Sequence, residues 1–140
     1  MTTTENFVLC AVAAEGTSVL TNAASEPHVQ EFCRFMTLLG ARIEGIGTSR
    51  LTVHGGAPLG GGEFRFDEDF HEITTFLALG AITGGDVVVR NSAPTNFPLI
   101  DRTFAKFGVR IHHEDGWSRA VRQGPLKVVT PFTANVLTKV

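Results

Sequence analysis

Only two cysteines occur in 140 residues, positive charge is not in excess, and no stretch stays apolar for long. Each shortage removes a class of function. A formal net charge of −2 gives no electrostatic case for nucleic acid, whose binders usually carry a basic face. No apolar run approaches the roughly 18 residues needed to cross a bilayer, so no membrane partner is expected. The opening Met1-Thr2-Thr3-Thr4-Glu5-Asn6 lacks the basic flank of a secretory signal. Cys10 and Cys33 both fall on helical patterns, where free thiols pack as small hydrophobes. A reducing, cytoplasmic setting fits these features. With 43% apolar and 19% charged residues, the chain has the make-up of an ordinary packed domain.

What the chain does have is a repeat. Leu39-Gly40-Ala41-Arg42-Ile43-Glu44-Gly45 returns as Phe107-Gly108-Val109-Arg110-Ile111-His112-His113, and Ser49-Arg50 returns as Ser118-Arg119. Upstream, Glu15-Gly16-Thr17-Ser18-Val19 pairs with Gly84-Gly85-Asp86-Val87-Val88, and Asn22-Ala23-Ala24 with Asn91-Ser92-Ala93. The offset holds at about 68 or 69 residues, too steady for chance.

Local patterns fill in that frame. Residues 5–14 read as a helix, 17–21 as a short buried strand, and Ser25-Glu26-Pro27 as a helix start with a capping hydroxyl and a first-turn proline. Val29, Phe32, Cys33 and Met36 stripe the helix that follows, and Gly40 closes it. Strands at 41–45 and 51–54 complete the first unit, and the glycine-rich 55–62 is the boundary. The second unit opens on an alternating strand at 63–66 and runs through a helix at 70–82 and a strand at 86–90. A helix striped by Phe97, Ile100, Phe104 and Phe107 and strands at 109–112 and 117–121 follow.

The expected class is α/β (α+β), built from β-α-β-α-β-β units. Residues 1–59 form a first unit without its opening strand, 60–125 a second, and 126–140 begin a third with the strand Leu126-Lys127-Val128-Val129. Orphaned strands at both ends suggest an internal piece of a longer repeat protein, with sheet edges open to self-association.

Most of the residues that suggest chemistry have plainer explanations. Gly60-Gly61-Gly62 is followed by Glu-Phe-Arg-Phe and not by the Gly-Lys-Ser/Thr of a phosphate loop, so it reads as a turn. His112 and His113 point to opposite faces of a strand and do not readily share a metal, so a solvated hairpin turn is expected. Neither Cys10 nor Cys33 has a neighbour that would activate a thiolate. Glu26 stands where a strand gives way to a helix N-terminus, a common place for polar ligands, although a dipole partner is the plainer role. The same plainer role suits Asp67-Glu68-Asp69 with Glu72. No catalytic residue, metal site or cofactor is assigned.

Several segments together resemble UDP-N-acetylglucosamine 1-carboxyvinyltransferases. They are Thr4-Glu5-Asn6, Asn22-Ala23-Ala24-Ser25-Glu26-Pro27, Leu39-Gly40-Ala41-Arg42-Ile43-Glu44-Gly45-Ile46-Gly47-Thr48 and Thr75-Phe76-Leu77-Ala78, in colinear order. The resemblance implies two domains of three units each, arranged as an inside-out barrel. It also implies transfer of enolpyruvyl from phosphoenolpyruvate to the 3-hydroxyl of UDP-N-acetylglucosamine, a step of peptidoglycan precursor synthesis. By the same resemblance, the reactive cysteine and the substrate-holding arginines belong to segments outside this one. Thr4 and Glu26 match substrate-side positions. Ser25 and Phe70 stand where the family has arginines, which leaves another acceptor nucleotide open. The alternative from a different class is a non-catalytic α/β module binding a nucleotide or a protein through its open edges.

Overall fold

The structure is a computed structural model and describes residues 2–127. The chain divides between Phe66 and Asp67 into two compact units. In the first, α1 (Thr2–Ala13), β1 (Thr17–Thr21), α2 (Pro27–Leu38), β2 (Arg42–Glu44) and β3 (Arg50–His54) follow in order. The second repeats that order with α3 (Phe70–Thr83), β4 (Val88–Arg90), a single 3-10 turn at Pro94–Asn96, α4 (Pro98–Lys106), β5 (Val109–Glu114) and β6 (Trp117–Arg122). Both sheets are antiparallel, and in each the last strand of the unit lies in the middle, giving β1-β3-β2 and β4-β6-β5. The repeat in the sequence is therefore a repeat of topology.

The central strand carries the core of the first unit because neighbours flank it on both sides. Leu51 and Val53 of β3 are almost completely buried, against Val8, Ala11 and Val12 of α1 and Cys33 and Met36 of α2. Burying one such side chain is worth about 1.5–3 kcal/mol. In the second unit the inward side chains of β6 are the small Ser118 and Ala120, both buried. Phe97 supplies bulk there, its ring edge-on to His113 at a centroid distance of 5.3 Å. Helix α3 turns Ile73, Leu77, Gly80 and Ala81 inward and leaves Phe76, Leu79 and Ile82 exposed.

Helix ends follow their local chemistry. The Gly40 N–H donates to Thr37 O and the Ala41 N–H to Met36 O, both at 3.0 Å, with Gly40 at φ 112°. That pair of bonds is the glycine-closed helix end expected from the sequence. Asp69 caps α3 by accepting from the His71 N–H at 2.8 Å, and Gly84 ends the helix in the left-handed region. The turn Asp115-Gly116 has φ of 47° and 79°, the pair that a two-residue hairpin needs.

Three local expectations change. Residues 63–66 are not a strand. Phe64 and Phe66 alternate as anticipated, but both rings pack on Phe35, at 5.6 and 5.7 Å, so the first compact unit runs to Phe66 and not to residue 59. Strand β1 is half-exposed and not buried, because it is an edge strand with β3 as its one neighbour and Val19 faces outward. Ser25 does not cap α2; the N-cap is Glu26 and no side-chain bond caps the end. Of the proposed strand at 126–129, Leu126 and Lys127 are irregular; Val128, Val129 and the rest of the third unit lie outside the described residues.

Residues 55–60 are held down instead of hanging free. Gly55 N–H donates to Gly16 O at 2.8 Å, Gly56 N–H to Val12 O at 3.2 Å and Gly60 N–H to Leu39 O at 2.7 Å. A methyl group on Gly55 would overlap the carbonyl oxygens of Ala11 and Ala14, while one on Gly61 would meet nothing. Gly55→Ala should therefore cost about 2 kcal/mol or more in urea unfolding of the chain, and Gly61→Ala close to nothing. Equal midpoints for the two variants would contradict this packing.

Candidate functional site

Thr4 and Glu26, far apart in sequence, line one recess of about 380 Å³. Its walls are Thr3 and Thr4 from the first turn of α1, Leu20 from β1, and 22–26 from the loop leading to α2. The loop is shaped by a short chain of bonds. Asn22 takes a left-handed φ of 59°, which asparagine tolerates better than most residues. The Ala23 N–H then donates to Ser49 O at 2.9 Å, and the Ala24 N–H donates to Thr4 Oγ1 at 3.0 Å. Ser25 presents its carbonyl to the Gln30 amide at 2.7 Å.

Thr4 is 4% exposed, so its hydroxyl oxygen forms part of a buried joint between helix and loop. Glu26 is exposed and extended, at φ −62° and ψ 153°. Its carbonyl accepts from the N–H groups of Val29 and Gln30, at 3.0 and 3.1 Å, and its carboxylate makes no cap bond. No cation lines the recess. Beside it, His28 Nε2 lies 3.9 Å from Glu5 Oε1.

The second unit ties the corresponding loop down differently. Ser92, after β4, donates its N–H to Glu68 Oε2 at 2.9 Å and its hydroxyl to the same oxygen in a short bond. Arg90 Nε lies 3.0 Å from Glu68 Oε1. The Ser92 hydroxyl bond leads in holding the Glu68 carboxyl down at about 2, with the Ser92 N–H and Arg90 assisting. So of the acidic run, Asp69 caps the helix as the dipole reading required, whereas Glu68 braces the loop.

Other residues singled out from the sequence separate cleanly. His112 faces outward and is exposed, while His113 faces inward beside Val109 and Ile111, as strand alternation demands. The expectation of a solvated turn is thus corrected for His113. Its Nε2 lies 3.1 Å from Asp101 Oδ1 and its Nδ1 2.7 Å from Ser118 Oγ, which also accepts from Asn91 Nδ2 at 2.8 Å. The carboxylate can only accept, so Nε2 donates to it, and in the neutral ring Ser118 donates to Nδ1. The order Ser-His-Asp looks like that of a nucleophilic triad, but Ser118 is 1% exposed and out of reach of any substrate. The network pins α4 to the β5–β6 hairpin. Its signal was legible only in the phase of β5, where residues 109, 111 and 113 share a face.

The cysteines follow their packing. Cys33 is buried, and burial first, then the charge of Glu5, pushes its thiol pKa up, away from the reactive thiolate. Cys10 is exposed on α1. No group of His, Cys, Asp and Glu able to hold a metal occurs among the described residues. No helix among them is long and apolar enough to cross a membrane. Phe70, where the resemblance expects arginine, packs on the second core and stacks on His71 at 4.1 Å.

The chain belongs to the EPSP synthase (3-phosphoshikimate 1-carboxyvinyltransferase) family, whose profile matches residues 1–136. Within that class it is similar to the UDP-N-acetylglucosamine 1-carboxyvinyltransferase of Borreliella burgdorferi, 38% identical over 136 residues, which are 97% of this chain and 32% of that protein. The enzyme of the same name from Acidobacterium capsulatum is 42% identical over 134 residues, 95% of this chain and 31% of the relative. The chain thus spans about a third of the length of these curated relatives. Among solved structures, the enolpyruvyl transferase NikO from Streptomyces tendae superposes with a TM-score of 0.72 at 21% identity, covering 85% of this chain and 29% of that one. This likeness shows the fold.

Two outcomes test the described contacts. Ser118→Ala leaves the buried Asn91 amide without its acceptor and should cost about 1–3 kcal/mol in denaturant unfolding, whereas Ser49→Ala in the exposed turn before β3 should cost almost nothing. For Glu68, a carboxyl held near 2 against an ordinary 4.5 stabilises the fold fully above pH about 4.5 and loses that contribution as pH falls through about 2. The urea midpoint of the chain minus that of Glu68→Gln should therefore shrink over that window; a difference independent of pH would contradict the brace.

Proposed function

We propose that this chain is part of an enolpyruvyl transferase that moves the enolpyruvyl group of phosphoenolpyruvate to the 3-hydroxyl of UDP-N-acetylglucosamine. The reading carries with it a cytoplasmic place in peptidoglycan precursor synthesis. The observation that carries it is identity of 38 to 42% with enzymes named for that reaction, over nearly the whole chain. The meeting of Thr4 and Glu26 in one recess supports it from the side of geometry.

In this reading the reaction is addition followed by elimination: the acceptor hydroxyl attacks phosphoenolpyruvate and phosphate leaves. Closure of the full enzyme excludes water and aligns charged donors with the charge that develops. The present chain supplies scaffold and one rim of the sugar-nucleotide pocket. Its thiols do not serve as the reactive cysteine, since Cys33 is buried with a raised pKa and Cys10 lies mid-helix on α1. The two sites that lack the family arginines, Ser25 and Phe70, are where a change of acceptor would be encoded.

The 140-residue chain should release no phosphate above background when given phosphoenolpyruvate and UDP-N-acetylglucosamine in a coupled phosphate assay. Turnover by the purified chain would overturn the division of labour proposed here.

A further inference from the structure

The outward faces of the two sheets differ in what they leave unengaged. On the first, Thr17 Oγ1 lies 3.1 Å from His54 Nδ1 and His54 Nε2 lies 3.1 Å from Glu44 Oε1, so one chain of bonds crosses all three strands. The central strand there turns Arg50, Thr52 and His54 outward, with no aromatic among them. The second sheet turns Trp117 and Arg119 outward, with Val88 on one flank and His112 and Glu114 on the other. These residues and Asp115 line a cavity of about 500 Å³.

Three groups in that cavity are unengaged. Trp117 is the chain's one tryptophan and is 50% exposed, and among the described residues no ring or cation stacks on its indole. The carboxylates of Glu114 and Asp115 make no hydrogen bond or ion pair among the described residues. The guanidinium in the wall is already taken: Arg119 Nε lies 2.7 Å from Asp86 Oδ1, and its Nη2 lies 2.7 Å from Oδ2. The face thus presents an apolar centre, Trp117 beside the half-exposed Val88, with two uncompensated negative charges at its rim.

Charge decides the occupant. An anion is repelled by the rim. A neutral ring covers the indole and leaves both carboxylates without a partner. An arginine side chain answers both, since its planar guanidinium stacks on an indole and its N–H fork donates to a carboxylate. We propose that this face is a docking surface for a basic segment of a partner protein, which lays an arginine over Trp117 and pairs it with Glu114 or Asp115. Tryptophan and arginine are among the residues that most often anchor protein interfaces. The first sheet, whose Glu44 is held by His54 and whose outward face lacks an aromatic, takes no such segment.

Because the chain has a single tryptophan, its indole fluorescence reads this face alone. The test titrates the whole chain with the end-blocked tripeptide Gly-Arg-Gly, with the same peptide carrying uncharged citrulline in place of arginine, and with glucose. The arginine peptide should change the emission of Trp117 saturably, and citrulline should weaken binding at least about fivefold. Glucose should change nothing. Glu114→Gln should weaken binding of the arginine peptide about threefold, as should Asp115→Asn, which keeps the left-handed turn. Glu44→Gln on the first sheet should leave the affinity as it is. Equal binding of the citrulline peptide, a response to glucose, or an affinity unmoved by both rim substitutions overturns the docking surface, and so does silence toward the arginine peptide.

Discussion

The bond from the Ala24 N–H to the Thr4 hydroxyl, 3.0 Å long, decides the shape of everything around the recess. It joins the start of one helix to the entry of another, across a loop that has just left the sheet. Without it the loop has a backbone donor facing a buried surface, an arrangement folded proteins rarely tolerate. With it, Asn22, Ala23, Ser25 and Glu26 are fixed in turn, since each is within two residues of the joint. The recess is a by-product of that joint and of the left-handed turn at Asn22.

The two repeats solve the same problem with different chemistry. Where the first uses a neutral hydroxyl, the second uses a carboxylate braced by Ser92 and Arg90. The neutral version leaves polar capacity to spare, and the charged version consumes its own. Glu68 has its oxygens committed to Ser92 and Arg90, whereas the Glu26 carboxylate has none of its oxygens committed to a cap. Divergence between repeats has kept the scaffold and redistributed the free hydrogen-bonding groups. The same holds for the core: β3 buries Leu51 and Val53 in the first unit, whereas β6 buries the small Ser118 and Ala120 in the second, where Phe97 with His113 makes up the difference.

Much of this was legible in the sequence, for identifiable reasons. The repeat, the order of the helices and of the strands after each unit's first helix, and the glycine-closed end at Gly40 are local or periodic features, and they stand as read. The pairing of Thr4 with Glu26 was suggested by family resemblance alone; no periodicity links a helix start to a loop eighteen or more residues on. What failed was tertiary. Residues 63–66 alternate as a strand does, yet the apolar side found Phe35 and not a ladder partner. The bonding of His113 was not legible because its partners Asp101 and Ser118, and Asn91 behind Ser118, come from separate parts of the chain. Edge position made β1 wetter than its composition suggested.

Helix α3 carries a last consequence. From Ile73 to Thr83 it has no charged side chain, and on the side away from its own sheet Phe76, Leu79 and Ile82 are 51%, 52% and 69% exposed. Natural surfaces guard such strips with lysine or glutamate, and this one has no guard. An uncovered apolar strip of this size favours association, so the colloidal behaviour of the chain turns on whether that strip is covered.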